Sequence, residues 1–449
     1  MAIARNDKRT IFGWAMYDWA NSAYTTTTLA VLMPAIFTGE IMPEGGFEIL
    51  GRTFDGESLF AYTVSFAALL AFLLSPVLGA VGDFSASKLR FLKVFAYAGA
   101  GLSTLFVLAG PGDVWYTILL FLVVESCWAI AAVFYDSFLP HISSAETIDQ
   151  VSSKGYAFGY LGGGIQFLLS LILIQATPDS FSATAARIGI VAAGIWWLGF
   201  AIFSFSRLSE PAPAEPLPPA YQGRWRPLAY TAIGFSRTMA TTRRLRHFPQ
   251  LLLFLVAFLL YNDGVQTVIS ISGSFATETL GLSIADISLA FLAVQAVAFL
   301  GALAFGWLAG RIGVKRAILA SLVLWTGVSI LGYFLPAGQF LPFLGLAVSV
   351  GLVLGGTQAL SRSLYGSMIP LEASAEFYGF YSVFSKFASI WGPLLFGLVN
   401  DLTGSSRQAI LSLILFFAVG FILLSRVDIE QARQAKELWQ FSGDRVTVE

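Results

Sequence analysis

The chain has 449 residues, of which 56% are hydrophobic and only 12% charged, and its mean hydropathy is +0.74. A soluble domain carries about 25% charged residues, so these figures exclude an ordinary water-soluble enzyme, a disordered chain and a coiled coil. With 26 basic residues against 27 acidic ones there is no net positive field for nucleic acid. A single cysteine, Cys127, excludes an intrachain disulfide, and two histidines, His141 and His247, leave almost nothing for a zinc or haem site.

A bilayer span takes about 20 apolar residues, and twelve apolar segments can be read along the chain. The first six run near Ile11–Phe37, Leu59–Val81, Phe91–Ala109, Val114–Leu139, Gly155–Gln175 and Thr184–Phe205. The second six run near Phe248–Ser272, Ile284–Leu308, Ala317–Leu335, Leu341–Leu360, Phe377–Val399 and Ala409–Leu424. The first is too long for a cleaved signal peptide and is interrupted by Asp18 and Asn21. The pattern predicts an all-α integral membrane protein with twelve transmembrane helices in two pseudo-symmetric six-helix bundles. The expected divisions are a first bundle over 1–206, a linker over 207–247, a second bundle over 248–425 and a tail over 426–449.

The basic residues predict the orientation. Twenty-two of the 26 lysines and arginines fall in alternate connections counted from the N-terminus, three (Arg52, Arg187 and Arg407) on the opposite side, and Lys386 within a span. By the positive-inside rule both termini face the cytoplasm. The linker starts with the proline-rich run Glu210–Pro219, which is expected to be extended. It ends in Arg243, Arg244 and Arg246, a topology signal or a contact for anionic headgroups. The segment Asp428–Trp439 reads as a short cytoplasmic helix of mixed charge.

The two halves repeat. Gly79-Ala-Val-Gly-Asp83-Phe-Ser-Ala-Ser-Lys88-Leu-Arg90 follows the second segment, and Gly306-Trp-Leu-Ala-Gly310-Arg311-Ile-Gly313-Val-Lys315-Arg316 follows the eighth, 227 residues later. Asp136 stands 57 residues after Gly79, and Arg362 stands 56 after Gly306. Duplicated six-span halves point to a transporter with a site between them near the midplane.

These loops resemble those of the major facilitator superfamily, which read roughly G-x-x-x-D-R-x-G-x-K/R-K/R. The second copy departs at Gly310, where the acid is usual, and the first has Phe84 and Ala86 in place of Arg and Gly. The resemblance implies that Asp83, Lys88, Arg311 and Lys315 belong to a cytoplasmic gate that is locked when the protein faces outward. Asp136 with its repeat mate Arg362, near the cytoplasmic ends of their spans, is expected in that gate rather than in the substrate site. A narrower resemblance covers nearly the whole chain. It rests on Gly13–Tyr24, Tyr135–Pro140, Gly155–Gly164, Tyr261–Thr267, Gly356–Ser363 and Phe377–Lys386. Together these are similar to the branch that contains the yeast vacuolar amino-acid effluxer of autophagy and its bacterial "unknown major facilitator" relatives. That resemblance implies amino-acid transport, with export as the direction.

An ionisable group within a span is costly and normally faces a bundle interior or a water cavity. Asp18, Ser22 and Thr25 share a face of the first segment, with Asn21 beside them, and line the path unless Asp18 pairs with a loop cation. Glu125 lies at midspan, where burial suits it to carrying a proton or to a protonated hydrogen bond between helices. Asn262, Asp263 and Gln266 are expected to contact substrate or ion, with Gly264 unwinding the helix locally. Lys386 needs a carboxylate partner, Glu125 or Asp263, unless it binds a substrate carboxylate. Gln166, Gln295 and Gln358 are candidate uncharged liners. The run Gly162-Gly163-Gly164 lacks the Gly-Lys-Ser/Thr ending of a phosphate loop and reads as close helix packing.

The expectation is a secondary transporter working by alternating access, not an enzyme, with no cofactor and no metal. It would move a small polar solute with a coupling ion, a proton by first choice, across a cell (inner) membrane. No nucleic acid and no obligate protein partner are implied. The rival readings are a carrier of lipid or amphiphile, a solute receptor of the same fold that moves nothing, and a membrane transferase.

Overall fold

The computed structural model describes residues 4–211, 215–223, 225–246 and 248–437. The sequence expectations for Pro213, Arg224, His247, Arg445 and the tail beyond residue 437 lie outside them. Among the described residues, eleven helices are long and apolar enough to cross a membrane. The remaining span is the first, a continuous helix over 8–41 that falls short on apolarity because it carries Asp18, Asn21, Ser22 and six threonines. Spans 2 to 6 are Gly56–Phe84, Lys88–Leu108, Val114–Ile142, Ile148–Ala176 and Ser182–Phe205. Spans 7 to 12 are Pro249–Thr279, Ile284–Ile312, Val314–Tyr333, Phe340–Met368, Leu371–Thr403 and Ser406–Arg426. These are the twelve expected helices, six to each bundle.

Each bundle has its own core. One is built on Trp14, Tyr17, Tyr24, Phe121, Tyr135 and Trp197 of the first half, the other on Phe254, Tyr261, Trp325, Tyr365 and Phe417 of the second. Leu73, Ile195, Leu324 and Leu394 point outward at membrane depth and are exposed, as lipid-facing positions must be. The bundles touch along two seams, where span 2 crosses span 11 and where span 5 crosses span 8. The repeated loop glycines sit at these crossings. A Cβ on Gly79 would run into the backbone of Ala375, and one on Gly306 would run into Ser153.

Two departures from helical regularity shape the interior. In span 1 the stretch Tyr24–Leu32 is π-helical, a local widening that recurs at functional sites. In span 11 the helix Ser374–Phe387 stops, and a second one, Trp391–Thr403, begins. Pro393 accounts for the break, since it lacks an N–H and its ring clashes with the carbonyl four residues earlier. Span 7, by contrast, is regular across Gly264 (helix Pro249–Ser274), so the expected local unwinding is absent. Gly264 instead faces the rings of Phe416 and Phe417.

The linker is not wholly extended. It forms a helix over Arg226–Leu245 that lies against span 2, with Gly234 on Val77 and Val81. A short hairpin, β1 (Phe47–Ile49) and β2 (Arg52–Phe54), joins spans 1 and 2 at the opposite end. Its two-residue turn, Leu50-Gly51, has positive φ at both positions, as the tight primed turns require. The tail helix runs over Ile429–Glu437.

Candidate functional site

A cavity of about 940 Å³ lies between the bundles, lined by spans 1, 4, 5, 7, 8, 9, 10, 11 and 12. Of the residues expected on the pathway, Asp18, Asn21, Ser22, Thr25, Gln266, Gln358 and Lys386 line it. It extends to Ile269–Gly273, Ile284 and Ser288, at the ends of spans 7 and 8 remote from the chain termini. Towards the termini it ends on a charged floor.

Arg362 of span 10 makes that floor. Its Nη1 donates to Asp136 Oδ1 of span 4 at 3.0 Å and to Asp18 Oδ2 of span 1 at 3.2 Å. Its Nε and Nη2 donate to the hydroxyl (3.0 Å) and carbonyl (2.9 Å) of Ser152 in span 5. The guanidinium also stacks over Tyr156, 4.2 Å from the ring centre, and over Trp14 at 4.9 Å. Tyr135 donates its hydroxyl to Asp18 at 2.7 Å. One side chain of the second bundle thus ties three spans of the first. Asp18 and Asp136 share a single guanidinium. Asp149 and Ser363 bond beside it at 2.6 Å.

The second tie is at the crossing of spans 2 and 11. Asp83 pairs with Lys88 at 2.7 Å and accepts the backbone N–H groups of Ala375 and Glu376 at 3.2 and 2.8 Å. These are free donors at the start of span 11, where helix geometry favours an anion. Lys88 Nζ donates to Ser374 Oγ at 2.7 Å and lies 3.1 Å from His141 Nε2. Glu210 of the linker accepts the N–H groups of Lys88 and Leu89, and burial there pushes its carboxyl above the ordinary carboxylate range.

Higher in the cavity, Lys386 Nζ donates to Glu125 Oε1 at 3.1 Å and lies 4.8 Å from the centre of the Trp128 ring. The partner of Lys386 is therefore Glu125, across the bundles, rather than Asp263. Glu125 is buried behind the wall, where Tyr24 donates to it at 3.4 Å, while Lys386 is partly exposed to the cavity. Lys386 occupies the last turn before the break in span 11, where a helix end favours a cation. Gln295 of span 8 donates to Thr26 of span 1 at 3.0 Å, and Tyr160 donates to Gln358, two further bonds between the bundles.

Five expected residues fall elsewhere. Asp263 accepts the N–H groups of Trp391 (3.0 Å) and Gly392 (2.9 Å), so it caps the helix that restarts after the break instead of lining the cavity. Asn262 is buried beside it, off the cavity wall. Arg311 is exposed and stacks over Trp307 at 4.2 Å. Lys315 donates to the carbonyls of Ser425 and Val427, both at 2.7 Å, within its own bundle. With Gly310 in the acid's place, neither cation pairs with a carboxylate among the described residues. Gln166 is also off the wall and bonds to Thr27, Ser170 and the carbonyl of Gly189. Trp128, Tyr156, Tyr160 and Tyr381 line the cavity without having been singled out. The i, i+4 pair Tyr156 and Tyr160, just ahead of the glycine run, was the available signal. The glycines themselves serve packing: a Cβ at Gly162 would strike the backbone of Trp19, and one at Gly163 that of Ser22.

With this geometry in view, the comparisons with known proteins are informative. A family model described as "Vacuole effluxer Atg22 like" matches residues 6–437. The chain belongs to that family. It is 32% identical over 430 residues to a protein of Bacillus subtilis (strain 168) named "Uncharacterized MFS-type transporter YxiO", covering 94% of this chain and 96% of that one. It is 27% identical over 464 residues to autophagy-related protein 22 of Coccidioides immitis (strain RS), covering 88% and 76%. Its fold is similar to that of the proton:xylose symporter XylE, with a TM-score of 0.68 at 12% identity, covering 96% and 98% of the two chains. The Atg22-like protein is thus a multi-pass membrane protein of the major facilitator superfamily and a secondary transporter.

Proposed function

We propose that this Atg22-like transporter moves a zwitterionic metabolite, an amino acid with an apolar side chain, by alternating access in symport with protons. The observation that carries the reading is the Glu125–Lys386 pair, contributed by opposite bundles at the cavity wall. A substrate carboxylate that approaches Lys386 competes with Glu125 for the same ammonium. Once deprived of its cation, a buried carboxylate takes up a proton. Substrate and proton are then linked through one lysine. The floor around Arg362, where two carboxyl groups share one guanidinium, suits the substrate's ammonium. Val31, Ile269, Phe291 and Leu346 offer the apolar wall for its side chain.

The gathered ties of Arg362 and Lys88 support a state that is shut on the terminus side. We take that side as the cytoplasm, on the strength of the 22-to-3 basic asymmetry, and the membrane as a bacterial inner membrane. A reporter fused after Glu449 should be active only in the cytoplasm; activity only outside would overturn the assignment. Uptake of labelled leucine into proteoliposomes tests the function. On this reading a pH difference alone drives accumulation in the wild type. Glu125→Gln abolishes that accumulation and leaves counterflow exchange largely intact. Accumulation by Glu125→Gln under a pH gradient would remove Glu125 as the carrier. Flux of an amphiphile but of no amino acid would favour the lipid-carrier reading, and binding without flux would favour a receptor.

A further inference from the structure

Glu376 lies in the first turn of span 11, outside the cavity, and is wholly buried. Neither of its carboxyl oxygens makes a well-formed hydrogen bond among the described residues, although the Thr241 hydroxyl of the linker helix lies alongside. Buried polar groups are nearly always paired, and an ionised carboxylate without a partner is far costlier to bury than a neutral acid.

The charges around it are engaged with one another. Asp83 of span 2 holds the Glu376 backbone N–H but gives its charge to Lys88 of span 3. Lys88 is in turn shared with Ser374 and His141. The linker helix presents Thr241 and Arg237 towards Glu376. Arg237 pairs with Glu215 and lies 4.8 Å from the centre of the Phe84 ring. From span 10 the neighbouring ionisable group is Tyr365, which donates its hydroxyl to the carbonyl of Phe377.

The position matters as much as the burial. Span 2 and the linker helix packed on it cover Glu376 from one side, while Glu376 itself belongs to the other bundle. When the two bundles part at this end, the cover leaves and water reaches the carboxyl.

We propose that Glu376 is a second protonation site of this protein, distinct from the Glu125–Lys386 pair. It holds a proton while the seam between spans 2 and 11 is shut and releases it to terminus-side water when the seam parts. The O–H bond of the acid breaks on opening and re-forms on closing, with water as the only other reactant. Because the shut state binds the proton more tightly, acid on the terminus side favours the shut state, and rising pH favours the parted one. The seam is then sensitive to terminus-side pH whatever substrate the cavity takes.

The test is a distance measurement in lipid nanodiscs. Spin labels at the exposed positions Arg90 and Glu372 report on the seam, in a Cys127→Ser background. In the wild type the shut-to-parted ratio should fall as pH rises above the ordinary carboxylate range, by up to about tenfold per pH unit for one proton. Glu376→Gln, a neutral isostere, should stay shut and lose the pH slope, and Glu376→Met should lose the slope as well. Glu125→Gln and His141→Gln should keep it, which separates failure of this site from failure of the coupling pair. A wild-type slope that persists in both Glu376 variants, or one that vanishes in His141→Gln, would overturn the proposal. So would a wild-type ratio that does not change with pH.

Discussion

The two copies of the glycine-and-charge loop occupy matching places in the two bundles and do different things. In the first, Asp83 joins Lys88 to the start of span 11 and so crosses between bundles. In the second, Gly310 stands where the acid would be, Arg311 stacks on Trp307, and Lys315 turns to carbonyls of its own bundle. Both copies retain their cations, and only the copy with the acid makes a clasp. The carboxylate is therefore the working part, because it meets two backbone donors that a helix start leaves unpaired. At the seam of spans 5 and 8 the missing clasp is replaced by Arg362, which binds Ser152 of span 5 together with Asp18 and Asp136. The remote end shows the contrast again. There Arg187 pairs with Glu40 inside the first bundle, and Arg407 donates to the carbonyls of Tyr333 and Leu335 inside the second.

Removing the replacement should have the largest effect. Arg362→Ala leaves two carboxyl groups without their cation at the cavity floor, and breaking a buried ion pair from one side costs about 3–5 kcal/mol. The shut-to-parted ratio, read from the same pair of labels at Arg90 and Glu372, should fall by more than a hundredfold. Arg362→Lys should recover only part of it, since an ammonium cannot reproduce the fork that reaches Asp136, Asp18 and Ser152 at once. Because the partners are shared, Asp136→Asn added to Arg362→Ala should cost less than the sum of the two single changes. Strict additivity would mean that Asp136 and Arg362 do not act together.

Breaking the first clasp comes next. Asp83→Asn keeps the shape but weakens two hydrogen bonds to a charged acceptor and strands Lys88. Hydrogen bonds to charged groups contribute roughly 1.5–3 kcal/mol, so the shut-to-parted ratio should drop by about tenfold to a hundredfold. An unchanged ratio would show that Arg362 alone holds this end.

Most of the fold was legible because lipid leaves a strong imprint: twelve apolar stretches, charge asymmetry and a repeated loop. The partnership of Asp136 with Arg362 was legible from repeat positions, and that of Lys386 with a carboxylate from the cost of a lone buried ammonium. The residues that misled were those whose partners are backbone. Asp263 looks like a pathway acid from its place in a span. Its partners are N–H groups freed by the break at Trp391-Gly392-Pro393, 128 residues away, and no side-chain pattern announces them. The linker helix was masked by the proline run that precedes it. Arg311 and Lys315 were assigned by analogy with the first loop, although Gly310 already stood in the sequence as the reason for the analogy to fail.

That reason can be tested by reversing it, with the smallest expected effect. Gly310 is helical, and a Cβ built there meets only Gln150 Nε2, at 3.7 Å, near the start of span 5. Aspartate fits this space without backbone strain. Its carboxylate would lie by the first turn of span 5, as Asp83 lies by the first turn of span 11, and would give Arg311 an anion to turn to. An acid near a helix start contributes about 0.3–1 kcal/mol, and Asp149 in the same turn opposes it by like charge. Gly310→Asp should therefore raise the shut-to-parted ratio only about twofold to fivefold, and high salt should erase the gain. Gly310→Asn, which fills the same space without the charge, should do nothing measurable. If the asparagine variant matched the aspartate, packing rather than charge would distinguish the two loops. If Gly310→Asp favoured the parted state, Asp149 would outweigh the helix start, and the second loop would lack its acid because span 5 already carries one.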